Sequence, residues 1–184
     1  MISKLNVDKA IQAAGVLLRH DGKQMTRLRL LKLLYIADRR SLKETGAPIL
    51  GSSLVALKHG PLHSEVLDLI NGEHVCEPLW SAYFLNEGRN IELQVEPPVG
   101  LLSRHEIETL HKVSDELVQL SDWDVADITH GFEEWLKNYP DPQENTSRPI
   151  PFEDVIDAVG RSDDKEAILQ DLKDDEAFDR FFAK

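Results

Sequence analysis

Residues 25–70, MTRLRLLKLLYIADRRSLKETGAPILGSSLVALKHGPLHSEVLDLI, decide how this chain folds. Thr26 is a good N-cap, nothing from Arg27 to Thr45 breaks a helix, and Gly46 offers a left-handed C-cap before Ala47-Pro48. One long helix follows. At roughly 100° per residue, Leu28, Leu30, Leu31, Leu33, Leu34, Tyr35, Ala37 and Leu42 share one wide arc. That arc exceeds the stripe a surface helix buries, so this is the expected core helix.

Two residues disobey the wheel. Asp38 falls in the middle of the apolar arc, where an unpaired carboxylate would be costly, so it needs a partner. Lys58, His59, His130 and the Trp135 indole N–H are the candidates. Ile36 falls on the opposite arc among Arg29, Lys32, Arg39, Arg40 and Lys43. An apolar residue framed by cations on an exposed face is a candidate partner surface, and a solvated charged face with one stray isoleucine is the alternative. His59 and Pro61 form a second candidate contact point.

Working outward, Asn6 or Asp8 can cap a first helix that runs to about His20, with Val7, Ile11, Ala14, Leu17 and Leu18 as its apolar stripe. Beyond Gly51, Ser53 is expected to start a short helix carrying Leu54, Val55 and Leu57 inward until Gly60-Pro61. Ser64 then opens another, ending at Asn71-Gly72. Between Trp80 and Val95 the apolar period becomes two around the turn-like Asn86-Glu87-Gly88-Arg89-Asn90, which predicts a β-hairpin. Ser103 with Glu106 is a capping box for a helix to about Leu120, and Ser121 opens the next, weakened at Gly131. The fold class expected is mainly α, a compact helical bundle around one central helix with a small β-hairpin.

The expected organisation is a domain over residues 1–139, a proline-rich linker or strap over 140–151, and an acidic helical extension over 152–184. The earlier segments already offer a full set of apolar faces, so residues 141–184 are expected to be dispensable for folding.

Three segments in order carry a resemblance. Lys32-Leu33-Leu34-Tyr35-Ile36-Ala37-Asp38, then Lys58 with Gly60-Pro61, then Thr129-His130 ahead of Trp135, resemble the Panacea domain of the SocA-like antitoxins. Leu57 departs from the pattern, standing where that family often has an aromatic residue, and Val66-Leu67 stands near its usual Tyr. The resemblance implies an antitoxin that neutralises a cognate protein toxin by direct contact. It also implies diverse toxins, including enzymes acting on translation or nucleotides, and in the SocA branch delivery of the toxin to a Clp-type protease. His130 and Trp135 are then either a functional pair or polar-tipped core residues.

Composition narrows the class. At 41% apolar and 29% charged residues, the 184-residue chain is that of a globular domain, with no run long enough to span a bilayer. The N-terminus has no signal-peptide core, and Cys76 is the only cysteine, so a cytoplasmic protein without a disulfide is expected. The net charge of −12 is unevenly spread: residues 1–60 hold eleven Lys/Arg against four Asp/Glu, so they are basic and the remainder strongly acidic. Either the two parts face each other or each sign recruits its own partner.

No phosphate-binding glycine loop, nucleophile elbow or HExxH appears, and Gly60-Pro61 prevents one helix from presenting both His59 and His63 to a metal. No catalytic residue, metal ligand or cofactor is therefore put forward, and an enzyme is not expected. Nucleic-acid binding through the basic face of the central helix is the alternative function, opposed by the acidic bulk.

Overall fold

The long helix forms as expected. In the computed structural model, which describes residues 4–139 and 146–182, α1 (Val7–His20) leads through β1 (Gln24–Thr26) into α2 (Arg27–Thr45). The Thr26 hydroxyl accepts from the Arg29 amide at 3.1 Å, and Gly46 ends the helix at φ +83°. Every residue from Arg29 to Asp38 is buried, so α2 is enclosed on all sides rather than along one stripe. α1 lies against it, as do α5 (Arg104–Leu117), α6 (Asp122–His130) and α8 (Phe152–Ala158).

Two three-stranded antiparallel sheets complete the architecture, where the sequence predicted one hairpin. The first has the order β1-β5-β4, built from β4 (Phe84–Glu87) and β5 (Asn90–Leu93), with Met25 opposite Ile91. The predicted hairpin is present, but Trp80 is not in it: it sits fully buried in the short α4 (Glu77–Ser81). The second sheet has the order β3-β2-β6, from β2 (Leu54–Leu57), β3 (Gly60–His63) and β6 (Arg148–Ile150).

β2 replaces the short helix expected after Ser53. Leu54 and Ala56 face inward with period two, and the two-residue turn Lys58-His59 closes on Gly60 at φ +92°. Only glycine holds that conformation without strain. α3 (Ser64–Asn71) follows, capped by Gly72. The predicted capping box of Ser103 with Glu106 is present, and Ser121, read only as a helix start, forms a second box with Asp124. At Gly131 the helix that Ser121 opens breaks into α6 and α7 (Glu133–Asn138).

The interior divides into two apolar clusters. One joins α1, α2, α3, α5 and the first sheet around Leu17, Leu30, Leu33, Val66, Trp80 and Ile91. The other gathers Tyr35, Leu42, Leu54 and Trp135 with Ile150, Phe152, Val155, Ile156 and Ile168. β6, α8 and the start of α9 (Lys165–Phe182) thus complete a core that α2 begins, and the expected boundary after residue 139 runs through it. Among the described residues no helix is long and apolar enough to cross a membrane.

Candidate recognition site

The predicted basic face of α2 is enclosed over most of its length. Lys32 is 1% exposed and Ile36 is 8% exposed and part of the first core cluster, so neither can anchor a partner. The cations around them are turned to internal acceptors. Arg29 donates to the carbonyls of Leu117 and Leu120 and pairs with Asp122 at 3.3 Å. Arg39 pairs with the fully buried Glu134 at 2.8 Å and lies 4.2 Å over the Phe132 ring. Arg40, half-exposed, forms a bidentate pair with Glu116, while Lys43 is exposed. A helical wheel gives the angle of a side chain but not what covers it, and here α5, α6, α7 and α8 provide the cover.

The three motif segments meet at Lys32. Its ammonium donates to the Pro61 carbonyl at 2.6 Å, and desolvation pulls its pKa down to about 7. Gly60 sits against the same group: a Cβ there would overlap the Thr129 hydroxyl, which is turned to donate to the Ala126 carbonyl. Pro61 is buried, and so does not serve as an exposed contact. The Trp135 indole donates to the Leu57 carbonyl at 2.9 Å, and the His130 ring stacks on it at 4.4 Å. Burial pushes the His130 pKa down, against the pull of Asp127.

Asp38 is buried as the wheel implied, but its partners differ from those expected. Its carboxylate accepts the Leu50 amide at 2.6 Å and stands 3.7 Å from the His63 Nε2. His63 is itself buried, with Ser52 Oγ on its Nδ1 at 2.9 Å, and desolvation lowers its pKa. Tyr35 donates to Glu134 at 3.0 Å, and burial together with that carboxylate drives its pKa well up, while Lys58, the remaining polar motif residue, is exposed. Leu33 and Leu34 of the motif are core. The charge division in the sequence is thus largely closed within the chain, with Lys9 on Glu106 and His20 on Asp115 adding to the pairs above.

One part of the predicted contact set stays open. His59, at the β2–β3 turn, is exposed and meets the edge of Trp123 with centroids 5.1 Å apart. Trp123 is 58% exposed. With Thr26, Arg27, Leu28, Arg89 and Asp122, these two line a cleft of about 350 Å³. Its walls are fixed. Asp122 accepts from Thr26 Oγ1 at 2.6 Å and pairs with Arg29, tying the start of α6 to the start of α2, and the Arg27 amide donates to the Arg89 carbonyl at 2.9 Å.

The sequence alone did not single out Trp123, Arg27, Arg89 or Glu134, and it raised His63 only as a metal ligand to be set aside. For Trp123 a signal existed: it lies off the face of α6 that carries Val125, Ala126 and Thr129. Among the described residues no group of three or more His, Cys, Asp or Glu side chains could hold a metal ion.

The architecture is a mainly α domain with two small antiparallel sheets, locked by polar side chains that α2 turns into its own fold. Its sequence matches the family model of the SocA-like antitoxins, the Panacea domain, over residues 30–136, and the chain belongs to that family. No curated protein and no solved structure matches it.

Proposed function

We propose that this protein is the antitoxin of a toxin–antitoxin pair and neutralises a cognate toxin in the cytoplasm by direct protein contact, without chemistry of its own. The observation that carries the reading is the family match over residues 30–136, in which the motif residues Lys32, Asp38, Gly60, Pro61, Thr129 and Trp135 are committed to internal contacts and Lys58 alone is exposed among the cations of the motif. Such a motif builds a scaffold. Recognition then belongs to groups the scaffold leaves outside. The enclosure of the basic face of α2 favours the reading of protein contact over that of nucleic acid, because its Arg29, Lys32 and Arg39 are held by carbonyls and carboxylates of the same chain.

The test is coexpression with the protein encoded by the adjacent reading frame. Growth arrest by that protein alone, relief by this chain, and a complex that co-elutes on size exclusion are the expected results. Arrest that persists at equal expression sinks the reading. Toxin abundance separates two modes: a toxin that accumulates in the complex is occluded, and one that disappears only when a Clp protease is present is delivered for degradation.

A further inference from the structure

Three surfaces compete for attention. Buried Lys32 titrates but faces no solvent, and the groove between α9 and Pro48–Gly51 is filled on one side by the chain's own Leu172. The cleft at Trp123 differs from both. It gathers the start of α2, the start of α6 and the β2–β3 and β4–β5 turns, and it leaves an indole half in water. An exposed tryptophan on rigid elements, edged by cations, has the composition of an interface hot spot.

The cations here behave unlike those of the α2 interior. Arg27 and Arg89 line the cleft, Lys58 adjoins His59 in the hairpin turn, and all three are exposed. Among the described residues none of the three side chains has a carboxylate within ion-pair distance, whereas Arg29, Arg39 and Arg40 each do. The one carboxylate in the cleft, Asp122, is already engaged by Thr26 and Arg29. In a chain of net charge −12, three cations without an ion-pair partner beside a half-exposed indole set this patch apart.

We propose that this cleft is where the toxin docks, and that it takes an acidic segment of the toxin carrying an apolar or aromatic side chain. The apolar side chain covers Trp123 and Leu28, and carboxylates beside it pair with Arg27, Arg89 and Lys58. Charge complementarity selects this occupant: the cations would repel a basic partner, and a symmetric pairing of two copies through the cleft would set the same cations against each other. This rests on the antitoxin reading and adds the place and chemistry of contact.

The experiment measures binding of the purified neighbour-encoded toxin to the full chain by calorimetry at two salt concentrations, with thermal unfolding of each variant alongside. Trp123→Ala should weaken binding about 100-fold while leaving the melting temperature within a degree or two. Arg27→Glu combined with Arg89→Glu should weaken it at low salt and reverse its salt dependence. Arg104→Gln, exposed at the start of α5 and outside the cleft, serves as the control with unchanged affinity.

If the wild-type chain binds the toxin and Trp123→Ala binds equally well, the cleft assignment is overturned while the antitoxin reading stands. If the wild-type chain neither binds nor neutralises, both fall. If Trp123→Ala instead turns a dimer into a monomer and leaves toxin affinity intact, the occupant is a second copy and the proposal is overturned.

Discussion

Lys32 and Lys58 carry the same side chain, and the fold treats them in opposite ways. Lys32 is enclosed on α2, with one carbonyl to hold its ammonium and a pKa near 7, whereas Lys58 projects from a hairpin turn with its ordinary solvation. The same contrast separates Arg29 and Arg39 from Arg27 and Arg89. Cations inside lock elements distant in sequence to one another; cations outside are left for a partner. Position on a helix does not sort them. Arg27 and Arg29 lie two residues apart on α2, yet one lines the cleft and the other is closed in by α5 and α6.

The largest effect should come from removing what encloses the inner set. Ending the chain at Tyr139 strips Ile150, Phe152, Val155 and Ile156 from Tyr35, Leu42, Leu54 and Trp135, and takes the Ala158 carbonyl from Arg39. Denaturant unfolding should lose its cooperative transition; a sharp two-state curve would mean the second cluster is an accessory. Next comes Ile36→Asp, which buries an unpartnered carboxylate and should cost about 4 kcal/mol or more in chemical denaturation. An unchanged midpoint would return Ile36 to the surface.

Arg39→Ala leaves Glu134 enclosed with only the Tyr35 hydroxyl, so a loss of about 3 kcal/mol is expected. Arg40→Ala breaks a pair that reaches solvent and should cost under about 1 kcal/mol. Equal losses would erase the distinction between the inner and outer cations.

Lys32 offers an effect between those two with a definite sign. Its pKa falls from 10.5 unfolded to about 7 folded, so between those values the unfolded chain holds more protons and stability rises with pH. Relative to Lys32→Met, the wild type should gain about 2 kcal/mol between about pH 7 and 9. A difference flat in pH would show that the ammonium is solvated. His63 works in a separate window: its lowered pKa means that stability is lost as the pH falls below the ordinary histidine value, where only the unfolded chain takes up the proton.

What the sequence made legible was local. Both ends of α2, the capping box of Ser103 with Glu106 and the weak point at Gly131 follow from residue types within a few positions of each other. The stretch of β2 suits a helix as well as a strand, because Leu54, Val55 and Leu57 satisfy either period over so short a run, and pairing with β3 and with β6 far along the chain decides the matter. Asp38 showed its burial but not its partner, since a backbone amide such as that of Leu50 has no signature in sequence. Glu134 was equally hidden, because its acceptance of Arg39 and Tyr35 depends on how α7 docks.

The central claim is that recognition uses the outer cations and Trp123, not the basic residues of the α2 interior. Hydrogen–deuterium exchange of the full chain, alone and in complex with the neighbour-encoded toxin, tests it directly. The complex should add protection at residues 26–29, 58–60, 87–90 and 120–124, which surround the cleft, and leave the already enclosed 31–38 unchanged. New protection confined to α9 or to the acidic surface, with the cleft exchanging as in the free protein, would contradict it.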